Sequence, residues 1–164
     1  MPKKTLIKVF AVLAVLAIAF ASFTTLGGDD TVSESAAGLP VVTGNIGEMP
    51  NIAAPTGTAP TTLEKQDIIV GTGTEIQPTS TLTVHYTLMA WSTGEILESS
   101  LNGGQPATFP LSGVIAGWQE GLPGAKVGGR RLLVIPPALG YGPSVGHPLE
   151  KETLIFVVDV IAVS

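Results

Sequence analysis

The chain has 164 residues, with 13 Asp+Glu against 8 Lys+Arg, two histidines and no cysteine. That length holds one ordinary domain plus a leader and a linker, and the missing cysteine excludes a disulfide scaffold, a thiolate metal site, a catalytic thiol and a lipid-attachment cysteine. Lys3, Lys4 and Lys8 lie at the extreme N-terminus, so the rest of the chain sets 5 Lys+Arg against 13 Asp+Glu, a balance of −8 that argues against nucleic acid, whose affinity rests on cations neutralising phosphates.

Residues 1–28 open with those lysines and continue as an uncharged stretch from Val9 to Gly28, densest in apolar residues from Val9 to Phe23. A basic start, an apolar core and small residues after it make a secretory signal peptide, with Ala19-Phe20-Ala21 or Ala17-Ile18-Ala19 as the cleavage pattern. The same stretch is long enough for an uncleaved membrane anchor, with the lysines inside. Both readings place the remainder outside the cytoplasm, and membrane contact is expected only through residues 1–28.

Residues 29–60 are rich in Gly, Pro, Thr, Ala and Ser. Such a composition buries little apolar surface and is expected to be a flexible tether. Leu39-Pro40-Val41-Val42 and Met49-Pro50-Asn51-Ile52 are exceptions, one of which is expected to add an edge strand. The compact domain is set at residues 61–164, large enough for a single core. An acidic surface and a short tether point to a monomer.

Within that domain, Leu63 to Val70 reads as a weak strand. Leu82, Val84, Tyr86 and Leu88 alternate with Thr83, His85 and Thr87, the period-two signature of a half-buried strand with His85 on its outer side. Gly113 to Leu122 reads as a helix of about two turns, with Ile115, Trp118 and Leu122 stacked on one face. Arg131 to Ile135, stopped by Pro136-Pro137, and Leu154 to Val163 are apolar runs of buried strands. The pattern is α+β, a sheet curled round one short helix.

Read in order, the domain contains Val84-His85-Tyr86-Thr87, Ser99-Ser100 and Thr108-Phe109-Pro110-Leu111. There follow Val114-Ile115-Ala116-Gly117-Trp118-Gln119-Glu120-Gly121, Val127-Gly128-Gly129-Arg130, Leu139-Gly140-Tyr141-Gly142, His147-Pro148 and Thr153-Leu154-Ile155-Phe156. This series resembles the FKBP family of peptidyl-prolyl cis-trans isomerases across nearly all of residues 61–164. The resemblance implies an FKBP-like half-wrapped antiparallel sheet around the helix, with a shallow aromatic pocket between them. It implies Trp118 as the pocket floor, Tyr86, Phe109, Val114, Ile115 and Phe156 as its walls, and Tyr141 at the lip with a hydroxyl donor. His147 belongs to the adjoining flap. The implied partners are proline-containing polypeptides and macrolide inhibitors.

Such a pocket needs no nucleophile, metal or cofactor. Peptide-bond rotation passes through a twisted amide that has lost resonance, at a barrier of ~18–20 kcal/mol, and X–Pro bonds exchange slowly between forms close in energy. A dry cleft favours the less dipolar twisted amide over the planar one, which is differential binding of the transition state. A thousandfold acceleration requires only ~4 kcal/mol.

The chain departs from the family pattern at several positions. Leu97 stands where most active members carry an aromatic residue, and Glu98 replaces the usual aspartate. Gly103 falls where an arginine often pairs with that aspartate, and Ala107 replaces another frequent aromatic. The turn between Thr87 and Gly94 holds an extra residue and contains Trp91. These changes thin one wall and predict weaker activity or a shifted preference for the residue before proline. They also sustain a second reading, a non-catalytic module or chaperone that uses the same groove to hold a proline segment. Gly142-Pro143-Ser144-Val145-Gly146 matches the G-x-S-x-G nucleophile elbow, but it lacks the strand, helix and large sheet that motif requires.

Overall fold

The computed structural model describes residues 38–164. The expected leader and the first part of the linker lie outside the described residues. The strands, in chain order, are β1 (Val42–Thr43), β2 (Asn51–Ile52), β3 (Glu64–Ile69), β4 (Thr81–Ala90), β5 (Ile96–Ser99), β6 (Ala107–Pro110), β7 (Arg130–Ile135) and β8 (Leu154–Val163). The helix α1 spans Ala116–Gly121.

The two ten-residue strands form the centre. β4 and β8 pair antiparallel along their length, β7 pairs with the far side of β8, and β3 closes that side. The other side of β4 is shared, with β6 on its first half and β5 on its second. The period-two alternation of β4 and the apolar runs of β7 and β8 give this sheet two covered faces. Leu82, Val84, Leu133, Ile135, Leu154 and Val158 are buried on the concave face with Trp118 and Leu122. Leu132, Val134, Ile155 and Val157 are buried on the convex face.

Two glycines bring α1 close to the sheet. A Cβ on Gly117 would lie 2.4 Å from Ile135 Cγ2, and one on Gly121 would lie 2.7 Å from Leu133 Cδ2. The helix starts later than the periodicity predicts. Leu111–Gly113 form a 3-10 turn, and Val114 and Ile115 are extended, so Ile115 precedes the helix instead of lying on its face. Ile115 makes no side-chain cap bond, and Gln119 reaches back and donates to the Val114 carbonyl at 2.7 Å, which ties the first turn to the segment before it. Arg131 holds the other end, donating to the carbonyls of Gly121, Leu122 and Pro123 at 2.9, 3.4 and 3.1 Å while forked onto Asp67. A guanidinium there satisfies carbonyls the helix leaves open and complements its negative end.

Residues 42–52 differ from the expected tether and edge strand. β1 and β2 pair with each other as a separate two-stranded hairpin, and Val42 and Ile52 join the convex core beside Trp91, Leu132 and Val134. Their turn is clamped from beneath. Arg130 is forked onto Asp159 at 2.5 and 2.7 Å and donates to the carbonyls of Gly44 and Glu48 at 3.0 and 2.9 Å. Asp159 also accepts the Gly47 N–H at 2.8 Å. The extra residue of the β4–β5 turn thus brings in Trp91, which is buried under the hairpin segment.

Candidate functional site

The site lies where the edge of the sheet is interrupted. β6 pairs with β4 as far as Val84 and β5 from Thr87, so His85 and Tyr86 have no strand partner on that side. Serine side chains take the place of the ladder. Ser100 Oγ accepts the Tyr86 N–H at 3.0 Å and is bonded to His85 Nδ1 at 3.0 Å, while Ser99 Oγ donates to the Tyr86 carbonyl at 3.1 Å. The Ser99-Ser100 pair therefore fixes Tyr86 on the concave face, and His85 lies outside the cavity with a hydrogen-bond role.

Tyr86 is one wall of a cavity of about 340 Å3, within the range of small-ligand sites. It is lined by Tyr86, Leu88, Glu98, Phe109, Gly113, Val114, Ile115, Trp118, Tyr141 and Phe156. Trp118 is almost wholly buried and lies among three other rings. Its ring meets Tyr86 at 5.9 Å and Phe156 at 5.2 Å, both edge-on, and Phe109 at 5.4 Å. Edge-to-face contacts of this kind hold aromatic rings in fixed orientations. Trp118 Nε1 has no hydrogen-bond partner among the described residues.

Two hydroxyls face different conditions. Tyr86 donates a short 2.5 Å hydrogen bond to Glu98 Oε1. Burial, then that bond and the Glu98 charge, push its pKa up to about 12, so it remains a protonated donor at neutral pH. Tyr141, at the mouth, stacks on His147 with centroids 4.0 Å apart and planes 9° apart. His147 Nδ1 accepts the Leu149 N–H at 3.1 Å. Among the described residues the Tyr141 hydroxyl has no hydrogen-bond partner, which leaves it able to donate to a ligand.

Eight of the ten residues singled out from the sequence line this cavity. Leu97 and His147 do not. Leu97 is displaced by a bulge: Leu88 faces Glu98 and Met89 faces Ile96, leaving Leu97 as the extra residue. A bulge re-aims the side chains around it, so Glu98 shares the cavity face with Leu88 while Leu97 is 44% exposed. His147 meets the cavity lining through its stack on the ring of Tyr141. Leu88 and Gly113 line the cavity without having been singled out. Leu88 was signalled by its place two residues after Tyr86, whereas Gly113 presents only backbone. Residues 142–146 form turns with Val145 91% exposed, and no helix follows Ser144, which disposes of the nucleophile-elbow pattern.

A sheet wrapped on a short helix, with an aromatic hollow between them and a free hydroxyl at its mouth, defines a protein that receives a compact apolar group beside a polar one. The family model of the FKBP-type peptidyl-prolyl cis-trans isomerases matches residues 73–161. A probable FK506-binding protein of Corynebacterium glutamicum is 53% identical over 116 residues, 70% of this chain and 98% of its own length. An FK506-binding protein of Streptomyces anulatus is 45% identical over 121 residues, 71% of this chain and 98% of its own. The crystal structure of FkpA from Escherichia coli superposes with a TM-score of 0.58 at 37% identity, covering 66% of this chain and 51% of that one. The chain belongs to the FKBP-type peptidyl-prolyl cis-trans isomerases, and it is an isomerase.

Proposed function

We propose that this isomerase acts on X–Pro bonds of exported polypeptides as an extracytoplasmic monomer, with the proline ring on Trp118 and the twisting amide between the aromatic walls. The observation that carries this reading is the pairing of a ring-lined floor with the Tyr141 hydroxyl at its mouth. Phe109, Val114, Ile115 and Phe156 exclude water from the amide, which favours its less dipolar twisted form. Tyr141 donates to a substrate carbonyl, a directed interaction of the kind that is strengthened in a water-poor site. Tyr86 is held by Glu98 as a wall, its hydroxyl committed to that carboxylate. Slow X–Pro exchange delays the folding of many chains, which gives an exported isomerase its clients.

The basic, apolar start of the chain supports the location. A relative 40% identical over 106 residues, covering 63% of this chain and 45% of its own length, is named outer membrane protein MIP of Legionella longbeachae. The names of the corynebacterial and streptomycete relatives support binding of an FK506-type macrolide in the same hollow. Leu97 and Ala107 add no ring to the lining of the hollow, which supports a turnover below that of a relative with aromatic residues there. The test is the cis-to-trans exchange rate of short X–Pro peptides. The wild type accelerates exchange, and Tyr141→Phe lowers kcat/KM by about twofold to tenfold, the value of one hydrogen bond. Equal rates for the two proteins would remove Tyr141 from the mechanism.

A further inference from the structure

Glu98 contributes the only carboxylate to the cavity lining, whose other members are apolar or phenolic. One of its oxygens accepts the Tyr86 hydroxyl. Among the described residues the other has no donor, and no cation is paired with it. Among the described residues the ion pairs join Lys126 to Glu75, Arg130 to Asp159 and Arg131 to Asp67. The two arginines are thereby buried within the fold. The Glu98 charge acts on the wall beside it, since it is among the causes that hold the Tyr86 proton in place. Elsewhere in the described residues, Glu95 precedes β5, Glu120 lies on α1, and Glu150 and Glu152 follow Tyr141 with Lys151 between them. Glu150 and Glu152 are already hydrogen-bonded, to Gly146 and Ser92.

We propose that Glu98 gives the isomerase a preference for substrates with lysine or arginine next to the proline. The proposal rests on the reading above, in which the proline ring occupies the Trp118 floor. A flanking side chain then lies at the rim, where Glu98 is exposed beside the hollow. Lysine and arginine can lay their methylenes along apolar surface while the charged head reaches a carboxylate. The resulting bond is charge-assisted and, with arginine, directional. An acidic flanking residue meets an unneutralised like charge instead.

The fold leaves room for a direct control. Gly103 ends the 3-10 turn that follows β5, its φ is not in the left-handed region, and no atom lies within 4 Å of where its Cβ would stand. Gly103→Arg therefore introduces an internal cation on the segment leading away from Glu98 without steric conflict.

The experiment measures kcat/KM of the whole protein on matched peptides in which Lys, Arg, Gln, Glu or Leu precedes the proline, and on a second set with the same residues after it. An exposed ion pair is worth a few tenths to one kcal/mol, so the basic peptides of one set exceed their Gln match by about twofold to fivefold. The Glu peptide falls below it. High salt narrows the spread. Glu98→Gln brings the Lys-to-Gln ratio to about one while keeping an acceptor for Tyr86, and Gly103→Arg lowers that ratio with Glu98 in place. Equal Lys-to-Gln ratios in the wild type and in Glu98→Gln, in both sets, overturn the proposal. Leu–Pro turnover separates the two ideas: if the wild type accelerates no peptide, Leu–Pro included, the isomerase reading fails first and takes this one with it.

Discussion

On the convex face of the sheet Arg130 is fully buried and makes four hydrogen bonds, two to Asp159 and one each to the carbonyls of Gly44 and Glu48. One residue later on the same strand, Arg131 points to the concave face, where it closes the end of α1 and pairs with a partly exposed Asp67. The convex clamp joins only protein groups to one another, under a hairpin that covers it. The concave face, beyond the helix that Arg131 holds, opens into the aromatic cavity. There Trp118 Nε1, the Tyr141 hydroxyl and one oxygen of Glu98 have no partner among the described residues. Of these only Trp118 Nε1 is buried, and a buried polar group left unpaired costs stability; the Tyr141 hydroxyl and the Glu98 oxygen stand at the rim of the hollow. The contrast separates a face that holds the fold from a face that receives a ligand.

Arg130→Ala breaks this contrast most severely. It strands the Asp159 carboxylate in a buried site and frees the hairpin turn, with an expected loss of about 3–5 kcal/mol read from the urea midpoint. The exchange rate per folded molecule is expected to stay within about twofold. A folded variant with a lost rate would show that the two faces are coupled. Gly117→Ala acts on the opposite face. Its methyl group cannot fit against Ile135, and overpacking of this kind costs about 1–3 kcal/mol. Because Trp118 follows directly in the chain, this variant is expected to lose activity as well as stability, which Arg130→Ala is not.

The smallest effect is spectroscopic. The chain has two tyrosines, and ultraviolet absorbance of the phenolates is expected to show one step at about pH 12, that of Tyr86. Glu98→Gln should lower it and Tyr86→Phe should remove it. The folded protein holds this proton more tightly than the unfolded chain, whose tyrosines ionise near pH ~10. The stabilisation is complete below that pH and is lost as pH rises through about 12. A late step that persisted in Tyr86→Phe would assign it to the wrong ring.

Sequence patterns that repeat locally carried the central sheet. The alternation of Leu82, Val84, Tyr86 and Leu88, and the apolar runs ending at Ile135 and Val163, mark β4, β7 and β8 because each needs only its own neighbours to be recognised. The aromatic hollow was legible because its members occur in a fixed order along the chain. The hairpin was not. Gly44 and Arg130 are 86 residues apart, and no local period announces that a buried guanidinium will collect two carbonyls from a Gly- and Pro-rich stretch. The displacement of Leu97 was hidden for a related reason. One extra residue in β5 changes which side chain faces the cavity, and a bulge has no signature in composition.

The two glycines of α1 also bear on how ligands enter. With Gly117 against Ile135 and Gly121 against Leu133, the helix rests on the sheet with no side chain as spacer, and the floor of the hollow stands ready before anything occupies it. Little chain ordering remains to be done on association, and that cost is a large part of what limits binding. An apolar ring entering a preformed cavity is expected to bind with the fall in heat capacity that marks buried apolar surface, which calorimetry over a range of temperatures reads.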